Sequence, residues 1–121
     1  MLETSVPIRL PGSQLLKGTT PLLVLTVVDD GELYGYEIAA RIRERSGGAF
    51  APSEGSLYPA LHALEADGAL EATWRASDRG PRRRYYRLTK RGRALLAESR
   101  DQWETLVRGV NAVAAGGRSD G

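Results

Sequence analysis

The 121-residue chain contains no cysteine and a single histidine, His62. Without thiols there is no disulfide framework, no thiolate metal site and no cysteine nucleophile, and one histidine has no second imidazole to share a metal or a proton with. Carboxylates are plentiful, but none fall in a pattern that suggests a buried pair. An enzyme, a metal site and a cofactor are therefore not expected. The lack of cysteine also fits the reducing cytoplasm. Long apolar runs are missing as well. The longest uncharged one, from Gly18 to Val28, falls well short of the roughly 18 to 20 residues of a membrane span. Glu3 stands in an N-terminus that has no apolar leader segment, so neither a signal nor a membrane partner is expected.

What is present is charge, unevenly placed. The formal net charge is only +2, yet between Glu71 and Arg93 nine basic side chains face two acidic ones, a local +7 that leaves −5 for the remainder. In isolation a charge run is most often a solvated surface. Set on an otherwise acidic chain, it also suits a surface that faces a polyanion.

The length suits one domain with a real core. Residues 1–13 hold two prolines and no sustained period, and read as a flexible arm. Thr20 can cap a helix with Pro21 in its first position. Leu22, Leu23, Val24, Leu25, Val27 and Val28 leave that helix almost no polar face, which calls for burial on more than one side and a contact with a second subunit through Leu22 and Leu23. A second helix begins at Tyr34 or Gly35, carries Tyr36, Ile38, Ala39 and Ile42, and stops at Ser46-Gly47-Gly48. Phe50 is expected to tuck into the core from an extended linker.

Ser53 offers the cap of a third helix, with Glu54 in its first turn. Leu57, Ala60, Leu61 and Leu64 form its core stripe, and Pro59 introduces some irregularity. Gly68 closes it. Leu70 to Ala76 and Arg82 to Leu88 alternate as two strands around the turn Ser77-Asp78-Arg79-Gly80-Pro81, a two-stranded antiparallel hairpin. Thr89 can cap a last helix, in which Gly92, Leu96, Ser99, Trp103, Leu106, Val110 and Val113 recur at spacings of four and three, a heptad seam. With no further core to cover it, that seam predicts a homodimer through Leu96, Ser99, Trp103, Leu106 and Val110. Residues 116–121 read as a disordered tail.

A helix followed by a basic hairpin is how a winged helix meets a DNA duplex. A helix entering a major groove about 12 Å wide needs small or hydrogen-bonding residues on its outward face. Ser53, Glu54, Gly55, Ser56, Tyr58 and His62 meet that need. Ser53 is at the least a helix cap, Tyr58 fits equally well half-buried against the second helix, and His62 could be a plain surface residue. Arg82 and Arg84 share one strand face and Arg83 the other, so only part of the triplet can point one way. Tyr85 and Tyr86 suit hairpin packing better than base stacking. Trp103 reads as seam packing, or as the wall of a flat apolar slot for a planar aromatic ligand.

The segments LLVLTVV, YGYEIAARI, SEGSLYPALHALEADGAL, the tryptophan of EATW, and RRRYYRLTKRGRALL together resemble the PadR family of transcriptional regulators, in its short form. The combination of GSLYPAL, LE-x-x-G and YYRLT is specific, whereas each alone is weak. The resemblance covers the chain from about Leu15 to Val110 and implies a dimeric winged helix, usually a bacterial repressor, joined through its C-terminal helix with help from the first. It implies that the helix from Ser53 reads the major groove, that Tyr36 and Tyr58 lie near the DNA backbone, and that Arg82, Arg83 and Arg84 form the wing. Members that sense phenolic acids or planar drugs release DNA on binding them. Multidrug-responsive members carry a tryptophan at a place that Trp103 matches, in a pocket that Leu106 would also line. The N-terminal arm and the Pro21 helix start depart from the usual pattern.

The expected fold class is thus mainly α with a small β-hairpin (α+β): a winged helix-turn-helix domain over residues 14–88 and a C-terminal dimerisation helix over 89–115. The expected partners are double-stranded DNA with a pseudo-palindromic operator, a second copy of the chain and a small aromatic effector. A winged helix that meets an acidic protein instead of DNA is the alternative.

Overall fold

The structure, a computed structural model, describes residues 19–119. The arm over residues 1–13, the Leu15-Leu16 pair and the last two residues lie outside that range. The elements in chain order are α1 (Thr20–Val28), β1 (Leu33–Tyr34), α2 (Gly35–Arg45), α3 (Glu54–Ala66), β2 (Leu70–Arg75), β3 (Arg83–Leu88) and α4 (Lys90–Ser119). Three helices pack with a small antiparallel sheet around one core, and α4 leaves that core as a long extension.

Helix α1 is the hub: it touches α2, α3, α4 and β3. Its start is displaced by one residue from expectation, with Thr19 in the cap position, Thr20 as the first helical residue and Pro21 following. Proline is harmless there because the first N–H groups of a helix have no intrahelical acceptor. Val24, Leu25, Val27 and Val28 are buried. Leu22 and Leu23 are half-buried and already pack against the core of their own chain, which leaves only part of their surface for a partner.

The sheet has three strands, in the order β1-β3-β2, where the sequence predicts two. Leu33 and Tyr34 pair with Tyr86 and Tyr85, covering the outer edge of β3. Two residues are too few to show an alternation. Helix α2 follows at once: the Tyr34 N–H donates to Glu37 Oε1 at 3.2 Å, a side-chain answer to an orphan donor at the helix start. At its far end Gly47 and Gly48 take left-handed φ values of 65° and 86°, and the Gly48 N–H donates to the Arg43 carbonyl at 2.8 Å. The Ser46 hydroxyl then accepts the Phe50 N–H at 3.0 Å and seats Phe50 against the core, as expected.

Helix α3 starts at the expected place, but Ser53 caps it with backbone alone. Its hydroxyl makes no capping bond and lies 3.4 Å from that of Ser56, which can donate to the Ser53 carbonyl at 3.1 Å. Pro59 is accommodated inside a continuous helix. It has no N–H to offer the Gly55 carbonyl, and Gly55 lies exposed in the first turn.

The junction with α4 is tight. Thr89 uses its hydroxyl to accept the Gly92 N–H at 3.0 Å and to donate to the Gly68 carbonyl at 2.6 Å, while its own N–H reaches the Ala69 carbonyl at 3.1 Å. Arg91 adds a bidentate pair to Asp67, at 2.9 and 3.0 Å. Here the heptad reading needs correction. Gly92 lies on the Ala69 carbonyl, and Leu96 is 3% exposed inside the core of its own chain, which leaves it no surface for the expected partner. Ser99 is half-buried, and the seam is free of its own chain only from Trp103 onward. The helix continues to Ser119, through the start of the segment expected as a tail.

A Cβ on Gly92 would stand 2.1 Å from the Ala69 carbonyl oxygen and 2.9 Å from Leu88 Cδ1. Both are held by packing and cannot withdraw. Gly92→Ala is expected to destabilise the fold by about 2–3 kcal/mol through overpacking, measured as a lowered midpoint in urea unfolding; an unchanged midpoint would contradict the tight junction.

Candidate nucleic-acid interface

The core stripe of α3 turns Gly55, Pro59, His62 and Ala66 outward, with Tyr58 and Glu65 along the flank that faces the hairpin. Ser53, Glu54, Gly55, Tyr58 and His62 are exposed, as the sequence reading requires, and Ser56 is half-buried. The outward face is low and nearly free of long side chains. It holds no arginine, lysine, asparagine or glutamine, and the helix carries two carboxylates and no cation.

Tyr58 packs against the start of α2 and still keeps an exposed side. A Cβ on Gly35 would come within 2.8 Å of the Tyr58 hydroxyl oxygen, so the missing side chain at the start of α2 is what lets the ring lie there. The ring still keeps 39% of its surface exposed and stands 6.5 Å from His62, centroid to centroid. Tyr36, one residue further along α2, is 69% exposed, and its ring stacks 6.3 Å from that of Tyr34.

On the hairpin, the register pairs Trp74 with Arg84 and Ala72 with Tyr86 on the face toward α3, and Arg75 with Arg83 and Thr73 with Tyr85 on the outer face. The three arginines of the triplet therefore have three situations. Arg83 lies over the Tyr34 ring at 4.5 Å and is exposed. Arg82 is exposed beyond the strand, 5.9 Å from the Trp74 ring. Arg84 is turned inward: its Nη2 pairs with Glu65 of α3, and its guanidinium lies 5.7 Å from the Tyr86 ring and 5.8 Å from Trp74. Its Nε is the one buried side-chain polar atom among the described residues with no hydrogen-bond partner.

Ion pairing sorts the rest of the basic run. Arg75 is paired with Glu32, Arg87 with Glu71 and Arg91 with Asp67, whereas Arg79, Arg82, Arg83, Lys90 and Arg93 have no ion pair among the described residues. Arg79, Arg82 and Arg83 cluster at the tip of the hairpin. Lys90 and Arg93 stand at the other end of β3, in the first turn of α4, and Asp78 lies in the turn beside Arg79. The turn itself is closed by the Ser77 hydroxyl on the Pro81 carbonyl, 2.8 Å away, with Gly80 at a φ of 90°.

Between α3 and the hairpin runs a cleft of about 460 Å³ whose walls include Tyr58 and His62 on one side and Trp74, Arg82 and Arg84 on the other. Burial pushes the Tyr86 hydroxyl at its floor above the usual tyrosine range, with Arg84 opposing, so it stays protonated. At the far end of α3, the hydrogen bond from Arg91 holds the Asp67 carboxyl below the usual range. No cluster of His, Cys, Asp or Glu that could hold a metal occurs among the described residues. Arg79, Trp74 and Glu65 were not among the site residues expected from the sequence, although Trp74 is the tryptophan of EATW that enters the family resemblance. Arg79 had a signal, its place in a turn beside the triplet; the roles of Trp74 and Glu65 depend on pairings across the fold.

A second surface lies on α4. Trp103, Leu106, Val110 and Val113 are 41%, 55%, 54% and 85% exposed, in one row down the helix. Near the upper end of this row, Leu22, Ser99, Gln102, Trp103 and Leu106 border a hollow of about 230 Å³ against α1. Lower down, Thr105, Leu106, Gly109, Val110, Val113 and Ala114 line an almost wholly apolar groove. Trp103 and Leu106 are thus brought together at the hollow. No helix among the described residues is long and apolar enough to cross a membrane.

Comparison with known proteins agrees with this arrangement. A transcriptional regulator of Mycobacterium tuberculosis, Rv3488, is 44% identical over 89 residues, which span 74% of this chain and 79% of that protein. An uncharacterized protein of Lysinibacillus sphaericus is 32% identical over 91 residues, 75% of this chain and 84% of the relative. Among solved structures, a PadR-like transcriptional regulator from Bacillus cereus superposes with a TM-score of 0.69 at 35% identity, covering 84% of this chain and 96% of the other. A transcriptional regulator from Clostridium thermocellum gives 0.74 at 28% identity, covering 80% and 94%. Residues 24–98 match the family described as transcriptional regulator PadR-like, and the chain belongs to that family of DNA-binding winged-helix regulators, which are not enzymes.

Proposed function

We propose that the protein is a homodimeric, sequence-specific repressor acting in the cytoplasm, released from DNA by a small aromatic effector bound at the dimer interface. The observation that carries the DNA-contact part is the cluster of arginines with no ion pair among the described residues, Arg79, Arg82 and Arg83, beside a helix face low enough to enter a groove. In this reading α3 enters the major groove with Ser53, Gly55, Ser56 and His62 nearest the bases. Tyr36 and Tyr58 meet the backbone, and the hairpin tip grips the flanking phosphates. Stacking of Arg82 and Arg83 on aromatic rings orients them and leaves their N–H edges free. Because α3 brings only Glu54 and Glu65 as charges, affinity rests on the hairpin, and discrimination rests on close fit, hydroxyls and His62 more than on bidentate base contacts.

The exposed row from Trp103 to Val113 supports the dimer: an apolar strip of this length on a protruding helix is a surface that a partner covers. With two heads so joined, a pseudo-palindromic operator follows, its half-sites about one helical turn apart. The hollow beside Trp103 supports an effector site that two copies would complete, so that binding there and binding to DNA oppose each other.

Fluorescence anisotropy on a duplex from the region upstream of the protein's own gene, titrated across salt, tests the DNA reading. Binding should weaken steeply with salt, and Arg82→Ala or Arg83→Ala should each lower the log–log slope by about 0.9 per head. Absence of binding at low salt would favour an acidic protein as the partner instead. Val110→Glu should turn a dimer into a folded monomer in sedimentation. A monomeric parent chain would refute the interface, and failure of phenolic or flavin ligands to quench the emission lost in Trp103→Ala would refute the effector site.

A further inference from the structure

We propose that Arg84 does not contact DNA but, with Glu65, forms a strut that sets the angle between α3 and the hairpin. This rests on the reading of α3 and the hairpin as the two parts of a DNA-binding head. Glu65 lies on the flank of α3 and Arg84 on the inner face of β3, so their ion pair joins the two elements, and Arg84 lines the cleft between them. The pair is about two-thirds buried, at 33% and 29% side-chain exposure, more than any other ion pair among the described residues.

Three observations turn Arg84 inward. One Nη is committed to Glu65, the Nε is sealed from water without a partner, and the guanidinium is packed between Tyr86 and Trp74. A cation reaching for phosphate would instead extend its N–H groups into solvent, as exposed Arg82 and Arg83 are placed to do. The base of the hairpin shares the core with α3 through Leu70, Tyr86 and Leu88, and beyond it the two elements face each other across the cleft, so an attachment beside that cleft bears on the hairpin's angle. The same pair neutralises Glu65, a carboxylate that would otherwise face the incoming polyanion.

The double variant Glu65→Gln/Arg84→Met removes the strut while leaving the net charge unchanged. On the upstream duplex it should bind roughly three- to tenfold more weakly, a typical coupling for contacting residues. The salt slope should be unchanged, and binding to an unrelated duplex should be altered less than twofold. Glu65→Gln alone should also bind the upstream duplex more weakly, although loss of a negative charge by itself would tighten binding. A slope lowered by about 0.9 per head in the double variant, equal weakening on both duplexes, or tighter binding by Glu65→Gln would each overturn the proposal, because those are the marks of a phosphate contact or of general unfolding. If the parent chain binds neither duplex or does not distinguish them, amide hydrogen exchange of residues 76–82 in the free protein decides. Faster exchange in the double variant upholds the strut, and unchanged exchange refutes it.

Discussion

The Thr89 hydroxyl holds three parts of the molecule at one point. It accepts the Gly92 N–H in the first turn of α4, and it donates to the carbonyl that ends the turn after α3; the backbone N–H of the same residue fastens the base of β2. A glycine at position 92 brings the helix into contact with the Ala69 carbonyl, and Arg91 clasps Asp67 alongside. Individually these are modest interactions. Together they leave α4 little freedom to rotate on the body, so the helix that carries the exposed apolar row is rigidly indexed to the helix with the small outward face.

Charge is distributed with the same division of labour. Four arginines of the basic run are taken up by carboxylates: Arg75 and Arg84 tie the sheet to Glu32 and to α3, Arg87 pairs with Glu71 across two strands, and Arg91 ties α4 to Asp67. Among the described residues the arginines at the hairpin tip have no ion pair, and two of them, Arg82 and Arg83, lie over aromatic rings. A sequence count of +7 therefore overstates what a polyanion would meet. Ring stacking suits this task because it fixes the direction of a guanidinium without consuming its hydrogen-bond donors.

Much of this was legible in the residues. Leu57, Ala60, Leu61 and Leu64 identified the buried side of α3, and Thr89 marked the start of α4 through its side chain. The hairpin followed from alternation on either side of a glycine-proline turn. What could not be read was pairing at a distance. Periodicity put Gly92 and Leu96 on the same seam as Trp103, because a heptad count records which side chains share a face and not which neighbour covers them; α1 and β3 cover the first turns. Strand alternation separated Arg83 from Arg82 and Arg84, but only the fold brings Arg84 to a glutamate nineteen residues earlier. Leu33 and Tyr34 became a strand because β3 had an unfilled edge, a cause that lies outside their own two residues.

The tight start of α4 has a mechanical meaning. Trp103 stands fourteen residues beyond Thr89, so at about 1.5 Å per residue the distance from clamp to hollow is roughly 20 Å. A helix anchored so firmly at one end behaves as a crank. A tilt of only about 5° imposed near Trp103 would swing the anchored body through roughly 2 Å, an appreciable fraction of the 3.4 Å spacing of stacked base pairs. The glycine that admits no Cβ is then the bearing of that crank: slack there would absorb the motion before it reached the head.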